Sequence, residues 1–319
     1  MSFTLPSPAD PLKLGTRGSP LALAQANETC DRLAAAHDLP REAFEVVVIH
    51  TTGDNRALIA ADRPLKEIGN KGLFTREIEE ALTRGDIDLA VHSMKDMPTE
   101  QPTGLVIDCY LPREDVRDAF ISAQAGSIAD LPEGAVVGSS SLRRRAQLAN
   151  RRPDLQLVEF RGNVQTRMRK LQDGVAQATF LAMAGLNRLG LSDLAKGAID
   201  PEEMLPAVAQ GAIGIERRSA DTRAAAMLEP IHDIPTAERL AAERAFLAAL
   251  DGSCETPIAG LAIHEGGDIW LRGEILRPDG SEALAEEGRA PLLDAAELGR
   301  ALAARLLARA APGFFDWRG

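Results

Sequence analysis

Short apolar runs rich in β-branched residues alternate with helical segments along the first two thirds of the chain. Such runs, when turn residues bound them, are typical of buried parallel strands. The first part of the chain has strand patterns at 12–15, 44–50, 89–91, 105–111 and 115–122, and helical patterns at 21–27 and 74–84. This alternation predicts an α/β fold.

The same pattern recurs in the next hundred residues. It places strands at 134–138, 155–160 and 179–182, with helices that open at Ser140 or Ser141 and at Asn163. Ser and Asn are strong N-cap residues. A short strand at 212–215 then returns to the first sheet, so two lobes joined by two crossings would place a cleft between them.

The last part of the chain has a different order. A helix at 237–250, capped by Thr236, precedes strand patterns at 258–263, 268–275 and 282–287 and a closing helix at 294–310. Their turn spacing predicts a small antiparallel sheet. We therefore predict domain 1 at 11–112 plus 212–230, domain 2 at 113–211, and a small α+β domain 3 at 235–319.

The first cluster of side chains that could take part in catalysis lies in the segment from Asp88 to Pro98. An apolar strand ends there in His92, Ser93, Lys95 and Asp96. Ligands of open α/β sheets bind beyond the carboxyl ends of strands, so a carboxylate beside an ammonium is a candidate acid/base centre. A solvated loop with an incidental ion pair explains this segment equally well.

Cationic residues gather at strand-to-helix turns. Ser19 is predicted to cap the helix at 21–27, with Pro20 at its first position. Arg17 precedes both residues and therefore lies at the positive end of the helix dipole. Between residues 143 and 170, nine basic and two acidic residues give a balance of +7. A solvated helix face explains Arg145, Arg151, Arg152 and Lys170, and it explains Arg143, Arg144, Arg161 and Arg167 less well.

Composition narrows the classes of function. The formal charge of −11 argues against a general nucleic-acid binder, so an anionic ligand needs a local cationic site. The three cysteines are too few and too scattered for a disulfide framework, which favours the cytoplasm. The first ten residues lack the features of a secretory signal, and no apolar run is long enough to span a membrane. The five histidines lack metal-ligand spacing, so no metal site is predicted.

Eight motifs, in order, resemble the porphobilinogen deaminase (hydroxymethylbilane synthase) family. They are Thr16-Arg-Gly-Ser-Pro-Leu-Ala-Leu-Ala-Gln25, Thr52-Gly-Asp54, Lys71-Gly-Leu-Phe74, Ala90-Val-His-Ser-Met-Lys-Asp-Met-Pro98, Gly138-Ser-Ser-Ser-Leu-Arg-Arg144, Arg161-Gly-Asn-Val-Gln-Thr-Arg167, Leu205-Pro-Ala-Val-Ala-Gln-Gly211 and Gly252-Ser-Cys-Glu-Thr-Pro257. The resemblance covers residues from about 12 to about 264. It implies two lobes of the periplasmic-binding-protein kind (type II) plus the C-terminal domain.

The resemblance also implies the chemistry. Four porphobilinogen units would condense stepwise, each with loss of ammonia, onto a dipyrromethane cofactor held by a thioether at Cys254, and hydroxymethylbilane would be released for porphyrin and haem biosynthesis. The growing pyrrole chain is a polyanion, which fits the arginine-rich turns. The family implies a cytoplasmic monomer that needs neither nucleic acid nor membrane.

Roles for single residues follow from the matched motifs. Asp96 would be the catalytic carboxylate that faces cationic intermediates and moves protons. The cofactor-binding positions would be Cys254, Lys95, Ser93, Ser139, Ser141, Arg143 and Arg144. The substrate-binding positions would be Arg17, Ser19, Arg161, Arg167 and Gln210, and Lys71 and Phe74 would belong to a flexible loop.

The chain departs from the family pattern in three places. Glu67 stands where some members carry a lysine, which removes one cationic contact, whereas Ser139 keeps the hydroxyl of the usual threonine. The residues around Cys254 also differ, without affecting the thiol.

Two other classes of protein compete with this interpretation. A two-lobed receptor for a small anion needs neither Cys254 nor Asp96 and is usually exported, and a metal-assisted hydrolase lacks ligand spacing.

Overall fold

The computed structural model of the protein describes residues 4–52, 75–253 and 256–318. The described residues form two compact units. The first unit contains residues up to 52, 75–114 and 211–237, and the second contains 115–210 and the chain from 238 onward. The boundaries of three separate domains stay a prediction.

The predicted strands and helices occur in the predicted order, together with one short strand and two short helices that were not predicted. The strands are β1 Leu12–Thr16, β2 Phe44–Val48, β3 Leu89–Ser93, β4 Leu105–Tyr110, β5 Asp118–Ser122, β6 Val136–Gly138, β7 Gln156–Val158, β8 Ala178–Ala182, β9 Gly197–Ala198, β10 Ile213–Arg218, β11 Ile258–Glu265, β12 Asp268–Leu276 and β13 Ala283–Pro291. The helices are α1 Pro20–His37, α2 Arg76–Arg84, α3 Leu142–Arg151, α4 Val164–Gln172, α5 Met183–Arg188, α6 Thr222–Leu228, α7 Ile234–Ala249 and α8 Ala295–Arg309.

The first unit contains a five-stranded sheet with the order β2-β1-β3-β10-β4. Strands β2, β1 and β3 are parallel, and β10 lies antiparallel between β3 and β4. The predicted return of 212–215 to the first sheet is therefore confirmed. Buried apolar side chains from β1, β3, β10 and α1 form the main core of this unit.

The second unit contains a five-stranded sheet of the same design, with the order β7-β6-β8-β5-β9. Here β7, β6 and β8 are parallel, and β5 lies antiparallel between β8 and β9. The two-residue edge strand β9 has too short a pattern to be predicted. The repeated topology confirms the prediction of two similar α/β lobes.

The C-terminal part of the second unit is the predicted small α+β domain. Strands β11, β12 and β13 pair antiparallel, and helix α8 packs on β12 and β13. The predicted cap at Thr236 is wrong, because α7 begins at Ile234 and the Asp233 carboxylate accepts a bond from the Thr236 backbone N–H at 2.9 Å. The Thr236 hydroxyl instead accepts from the backbone N–H of Arg113 at 3.0 Å. Among the helices of the described chain, none combines the length and apolarity of a membrane span.

Candidate active site

A pocket of about 80 Å³ lies where the parallel strands β1 and β3 end and helix α1 begins. Its lining includes four of the predicted site residues, namely Arg17, Ser19, Ser93 and Asp96. These side chains come from two turns that are more than seventy residues apart in sequence. They meet because carboxyl ends of adjacent parallel strands share one edge of the sheet.

The N-terminus of α1 has the predicted local structure. The Ser19 hydroxyl accepts a hydrogen bond from the backbone N–H of Ala22 at 3.2 Å, and Pro20 occupies the first turn. The Ser93 hydroxyl donates to Gln25 Oε1 at 2.9 Å, which ties the end of β3 to α1. Helix N–H groups with a nearby arginine favour an anion at this end of the pocket.

Asp96 lies on a single 3₁₀ turn, Met94–Asp96, directly after β3. The Met94 side chain is buried under this turn against β10, where a Cβ added to Gly214 would lie 2.1 Å from Met94 Sδ. This close packing therefore requires either a residue without a Cβ at position 214 or a shift of the Met94 and Ile107 side chains. The sequence gives no local signal for this requirement, because Gly214 lies 120 residues after Met94.

The pocket wall also contains His92, which is buried and bonds through Nε2 to Glu216 Oε2 at 2.9 Å. Nearby on α2, burial raises the pKa of Glu79, and the Glu216 carboxylate acts in the same direction. The sequence pattern shows His92 only as part of a polar strand end and does not indicate its pairing with Glu216. Only the β3–β10 pairing brings these two residues together.

In the second unit, Arg143 and Arg144 are buried at the N-terminus of α3 rather than solvated. Both donate to the carboxylate of Asp118 on β5, with N–O distances of 2.7 Å. Burial alone would raise the pKa of Asp118, but the two guanidinium groups hold its pKa well below the ordinary value. The two serines at the start of α3 form local hydrogen bonds. Ser141 caps the helix, as predicted, and Ser139 Oγ accepts from the Ser141 backbone N–H at 3.3 Å.

A second helix start lies beside the first. Asn163 caps α4 by accepting from the Thr166 backbone N–H at 3.0 Å. Arg167 donates to the Gly162 carbonyl at 2.9 Å and to the Phe180 carbonyl at 3.4 Å, and Arg144 donates to that same Phe180 carbonyl at 3.0 Å. One acceptor therefore brings the arginines of α3 and α4 together.

The prediction of a solvated helix face is wrong for Arg145 and Arg152, which are half-buried. Arg145 pairs with Glu159 at 3.1 Å and Arg152 with Asp154 at 2.7 Å, whereas Arg151 is exposed and pairs with Glu274 at 2.9 Å. Lys170 lies over the Phe160 ring, 5.5 Å from its centroid. The excess positive charge is therefore more local than the count of +7 indicates.

The remaining predicted residues fall into two groups. Lys95 and Arg161 are half-buried, and Gln210 is buried and donates to Asp118 Oδ1 at 2.8 Å. Cys254, Lys71 and Phe74 lie outside the described residues. Within the described ranges, no group of three or more His, Cys, Asp or Glu side chains is arranged to hold a metal ion.

Comparison with known proteins identifies the family. The family model described as porphobilinogen deaminase, dipyromethane cofactor binding domain, matches residues 12–226, and the model of the porphobilinogen deaminase C-terminal domain matches residues 237–308. The chain belongs to the porphobilinogen deaminase family. A porphobilinogen deaminase from Paracoccus denitrificans is 67% identical over 313 residues, which cover 98% of this chain and 99% of that protein.

Solved structures similar to this chain include periplasmic and nutrient-binding proteins. A periplasmic substrate-binding protein of an ABC transporter from Coxiella burnetii is 15% identical, with a TM-score of 0.40 over 71% of this chain and 94% of that one. A nutrient binding protein from Burkholderia cenocepacia bound to methionine is 13% identical, with a TM-score of 0.41 over 70% of this chain and 93% of that one. These scores are too low to add to what the strand orders establish.

The residues at the start of α3 fit the dipyrromethane cofactor of the porphobilinogen deaminase family. That group is anionic, because its pyrrole rings carry carboxylate side chains. Arg143 Nε and Arg144 Nε are buried without a hydrogen-bond partner among the described residues, so donor capacity remains at this helix start. Arginines beside helix N–H groups are the donor set that carboxylates prefer.

Proposed function

We propose that this chain, as a porphobilinogen deaminase, uses Asp96 as the catalytic carboxylate and the arginines of its helix starts to hold a growing polyanion. Members of this family are transferases of tetrapyrrole biosynthesis, and the reaction condenses four porphobilinogen units to hydroxymethylbilane. The observation that carries the residue assignment is the pocket of the first unit. It combines the Asp96 carboxylate with Arg17, Ser19 and Ser93, which are groups suited to a carboxylated substrate.

Asp96 is suited to a reaction that passes through cations. Loss of ammonia from porphobilinogen leaves a cation, and the next bond between pyrroles forms through another. A fixed carboxylate stabilises such charges and can accept the proton that the pyrrole releases. Arg17 beside the α1 N-terminus would hold a carboxylate side chain of the same substrate, because the guanidinium and the helix dipole both favour an anion.

The second unit would supply the remaining anion contacts. We assign Ser139, Ser141, Arg143 and Arg144, with Lys95 and Ser93 of the first unit, to the cofactor, and Arg161, Arg167 and Gln210 to the substrate chain. When bound, the dipyrromethane supplies the anchored pyrrole from which the product is extended. The protein's own part is to neutralise carboxylates at α3 and α4 and to orient them.

Cys254 is the proposed attachment point of the cofactor. The other two cysteines are poor candidates, because burial raises the pKa of Cys30 to about 11 and that of Cys109 to about 12. A thiol attacks as its thiolate, so both remain unreactive near neutral pH. Cys254 follows the turn after α7, outside the apolar registers that bury the other two.

Intact-mass measurement tests the attachment. Purified wild-type protein should exceed its polypeptide mass by one dipyrromethane, and Cys254→Ala should lose that excess while Cys30→Ala keeps it. A wild-type protein that is active at its bare polypeptide mass would contradict the assignment.

Kinetics test Asp96. Asp96→Asn should keep the cofactor mass and lower turnover by about 10²–10⁴-fold, the usual contribution of one acid/base group. Asp86→Asn, an exposed partner of Arg84 near the other end of β3, is the matched control and should change little. Near-normal turnover of Asp96→Asn would assign the proton transfer to another group.

We further propose that the protein works as a cytoplasmic monomer without nucleic acid. The net charge of −11 and the lack of a disulfide framework support this proposal. Sedimentation of the purified protein at micromolar concentration should give a single species near the chain mass of 34.1 kDa.

A further inference from the structure

Asp118 is a fully buried carboxylate in the second unit to which the proposed chemistry gives no direct role. Its Oδ2 accepts from Arg143 Nη2 at 2.7 Å, and its Oδ1 accepts from Arg144 Nη2 at 2.7 Å and from Gln210 Nε2 at 2.8 Å. All four side chains are at most 6% exposed as residues. Three segments of the chain therefore meet at one carboxylate.

The convergence of the two guanidinium groups needs this acceptor. Consecutive residues of an α-helix point about 100° apart, so Arg143 and Arg144 diverge from the α3 backbone. Their other bonds lead in different directions, to the Leu205 carbonyl at 2.9 Å and to the Phe180 carbonyl at 3.0 Å. Within the described chain, Asp118 is the acceptor that they share.

The charge balance at this point is also set by Asp118. Two guanidinium groups carry +2, and one carboxylate leaves +1 beside the positive end of α3. Glu274 also acts on Arg143 electrostatically, but it is paired with Arg151 at 2.9 Å. The positive charge that remains among Arg143, Arg144 and Asp118 lies at a helix N-terminus and is suited to one carboxylate of a ligand.

We propose that Asp118 is a positioning residue for the cofactor site: it draws Arg143 and Arg144 together and leaves one positive charge at the start of α3 for a carboxylate of the dipyrromethane. This inference rests on the proposed assignment of these arginines to the cofactor. Without Asp118, two like charges would repel each other, and the guanidinium groups would follow their separate backbone acceptors.

The test measures cofactor loading by intact mass in Asp118→Asn, which keeps the size of the side chain and removes its charge. We expect the ratio of loaded protein to apoprotein to fall about tenfold or more. The matched control is Asp154→Asn, which removes the carboxylate of another aspartate–arginine pair at the C-terminal end of the same helix. That variant should stay loaded like the wild type.

Two further variants separate positioning from stability. Leu148→Ala removes buried side-chain volume from α3, far from its first turn, and should lower the thermal midpoint while the cofactor is retained. Asp118→Glu keeps the charge and both acceptor oxygens, so a folded protein should keep at least half of the wild-type loading. This variant decides the question if Asp118→Asn does not fold.

Each outcome either supports or overturns the inference. Fully loaded Asp118→Asn, equal losses in Leu148→Ala and Asp118→Asn at matched midpoints, or folded Asp118→Glu without cofactor would overturn it. If the wild type itself carries no added mass, the proposed function fails instead. If the wild type is loaded and Asp118→Asn is loaded equally, only the role of Asp118 fails.

Discussion

Glu243 on α7 offers a sharp test of how the second unit holds the segment that presents Gln210. The carboxylate is fully buried and accepts two backbone N–H groups, from Ala209 at 2.6 Å and from Ala262 on β11 at 2.8 Å. Ala209 has a left-handed backbone with a φ of 61°. A residue with a Cβ pays about 1–2 kcal/mol for that conformation, so an outside contact must hold it.

The cost of replacing Glu243 can be worked from these two bonds. Hydrogen bonds to charged groups contribute about 1.5–3 kcal/mol each, so Glu243→Ala should lose roughly 3–6 kcal/mol. Glu243→Gln keeps one acceptor but turns an amide NH₂ toward the other backbone N–H, and it should lose roughly 2–3 kcal/mol. At about 2–4 °C per kcal/mol for a unit of this size, the glutamine variant should melt roughly 4–12 °C lower.

The assay is thermal unfolding followed by circular dichroism, with Glu238→Gln as the control. Glu238 lies on the same helix and contacts the same strand through His264 at 3.1 Å, but Glu238 is only half-buried and His264 is exposed, so the pair should contribute at most about 1 kcal/mol. Ala209→Gly should recover part of the loss in Glu243→Gln, because glycine adopts the left-handed backbone without penalty. Equal midpoints for the two glutamine variants would refute the reasoning, as would a second loss from Ala209→Gly.

Two further predictions concern the first unit. Gly214→Ala should lower turnover far more than the cofactor content, because the new Cβ would collide with Met94 beneath the Asp96 turn and shift the carboxylate. Glu79→Gln should raise the thermal midpoint at pH 7, because a carboxyl whose pKa is raised in the folded state opposes folding once it ionises. This gain should be full above the folded pKa and vanish as the pH falls below the unfolded value near 4.3.

Each of these two variants has a control. Gly197→Ala adds a Cβ with no atom within 4 Å, so its kinetics should match the wild type. Glu80→Gln alters an exposed carboxylate on the same helix as Glu79, which pairs with the exposed Arg76 at 3.0 Å, and its midpoint should barely move. Unchanged turnover in Gly214→Ala, or a stability gain in Glu79→Gln that persists at pH 3, would contradict the physical account.

Local signals in the sequence predicted most of the framework. The caps Ser19, Ser141 and Asn163 each form the expected bond, because a cap depends on residues two or three positions away. The strand patterns located both sheets, and the pocket residues of the first unit followed from strand ends. The motif resemblance, rather than periodicity, supplied the chemical roles.

Partners distant in sequence were not predictable in the same way. The bonds of His92 to Glu216 and of Arg143 to Asp118 join residues 124 and 25 positions apart. No periodicity links such pairs, since only the order of strands in the sheets brings them together. The pairing of Arg151 with Glu274 has the same origin, because it joins the end of α3 to strand β12 of the C-terminal sheet.

The two lobes share one sheet topology, and they differ in the residues at the ends of equivalent strands. Strand β1 of the first lobe corresponds to β6 of the second. In each lobe, a serine three residues after the end of this strand caps the following helix. The serine is Ser19 after β1 and Ser141 after β6. Both lobes therefore possess a helix start that favours an anion.

The lobes differ at the end of the next parallel strand toward the centre of the sheet. Strand β3 leads into the turn with Lys95 and Asp96, whereas the equivalent strand β8 leads directly into Met183 and Ala184 of α5. Of these two strand ends, only the end of β3 carries a carboxylate that could act as an acid or base. In the second lobe, the buried carboxylate is Asp118, whose guanidinium partners keep it ionised and unavailable for proton transfer. With the roles proposed above, proton transfer belongs to Asp96 in the first lobe, and we expect substitution of Asp96 to lower turnover while substitutions around Asp118 lower cofactor loading.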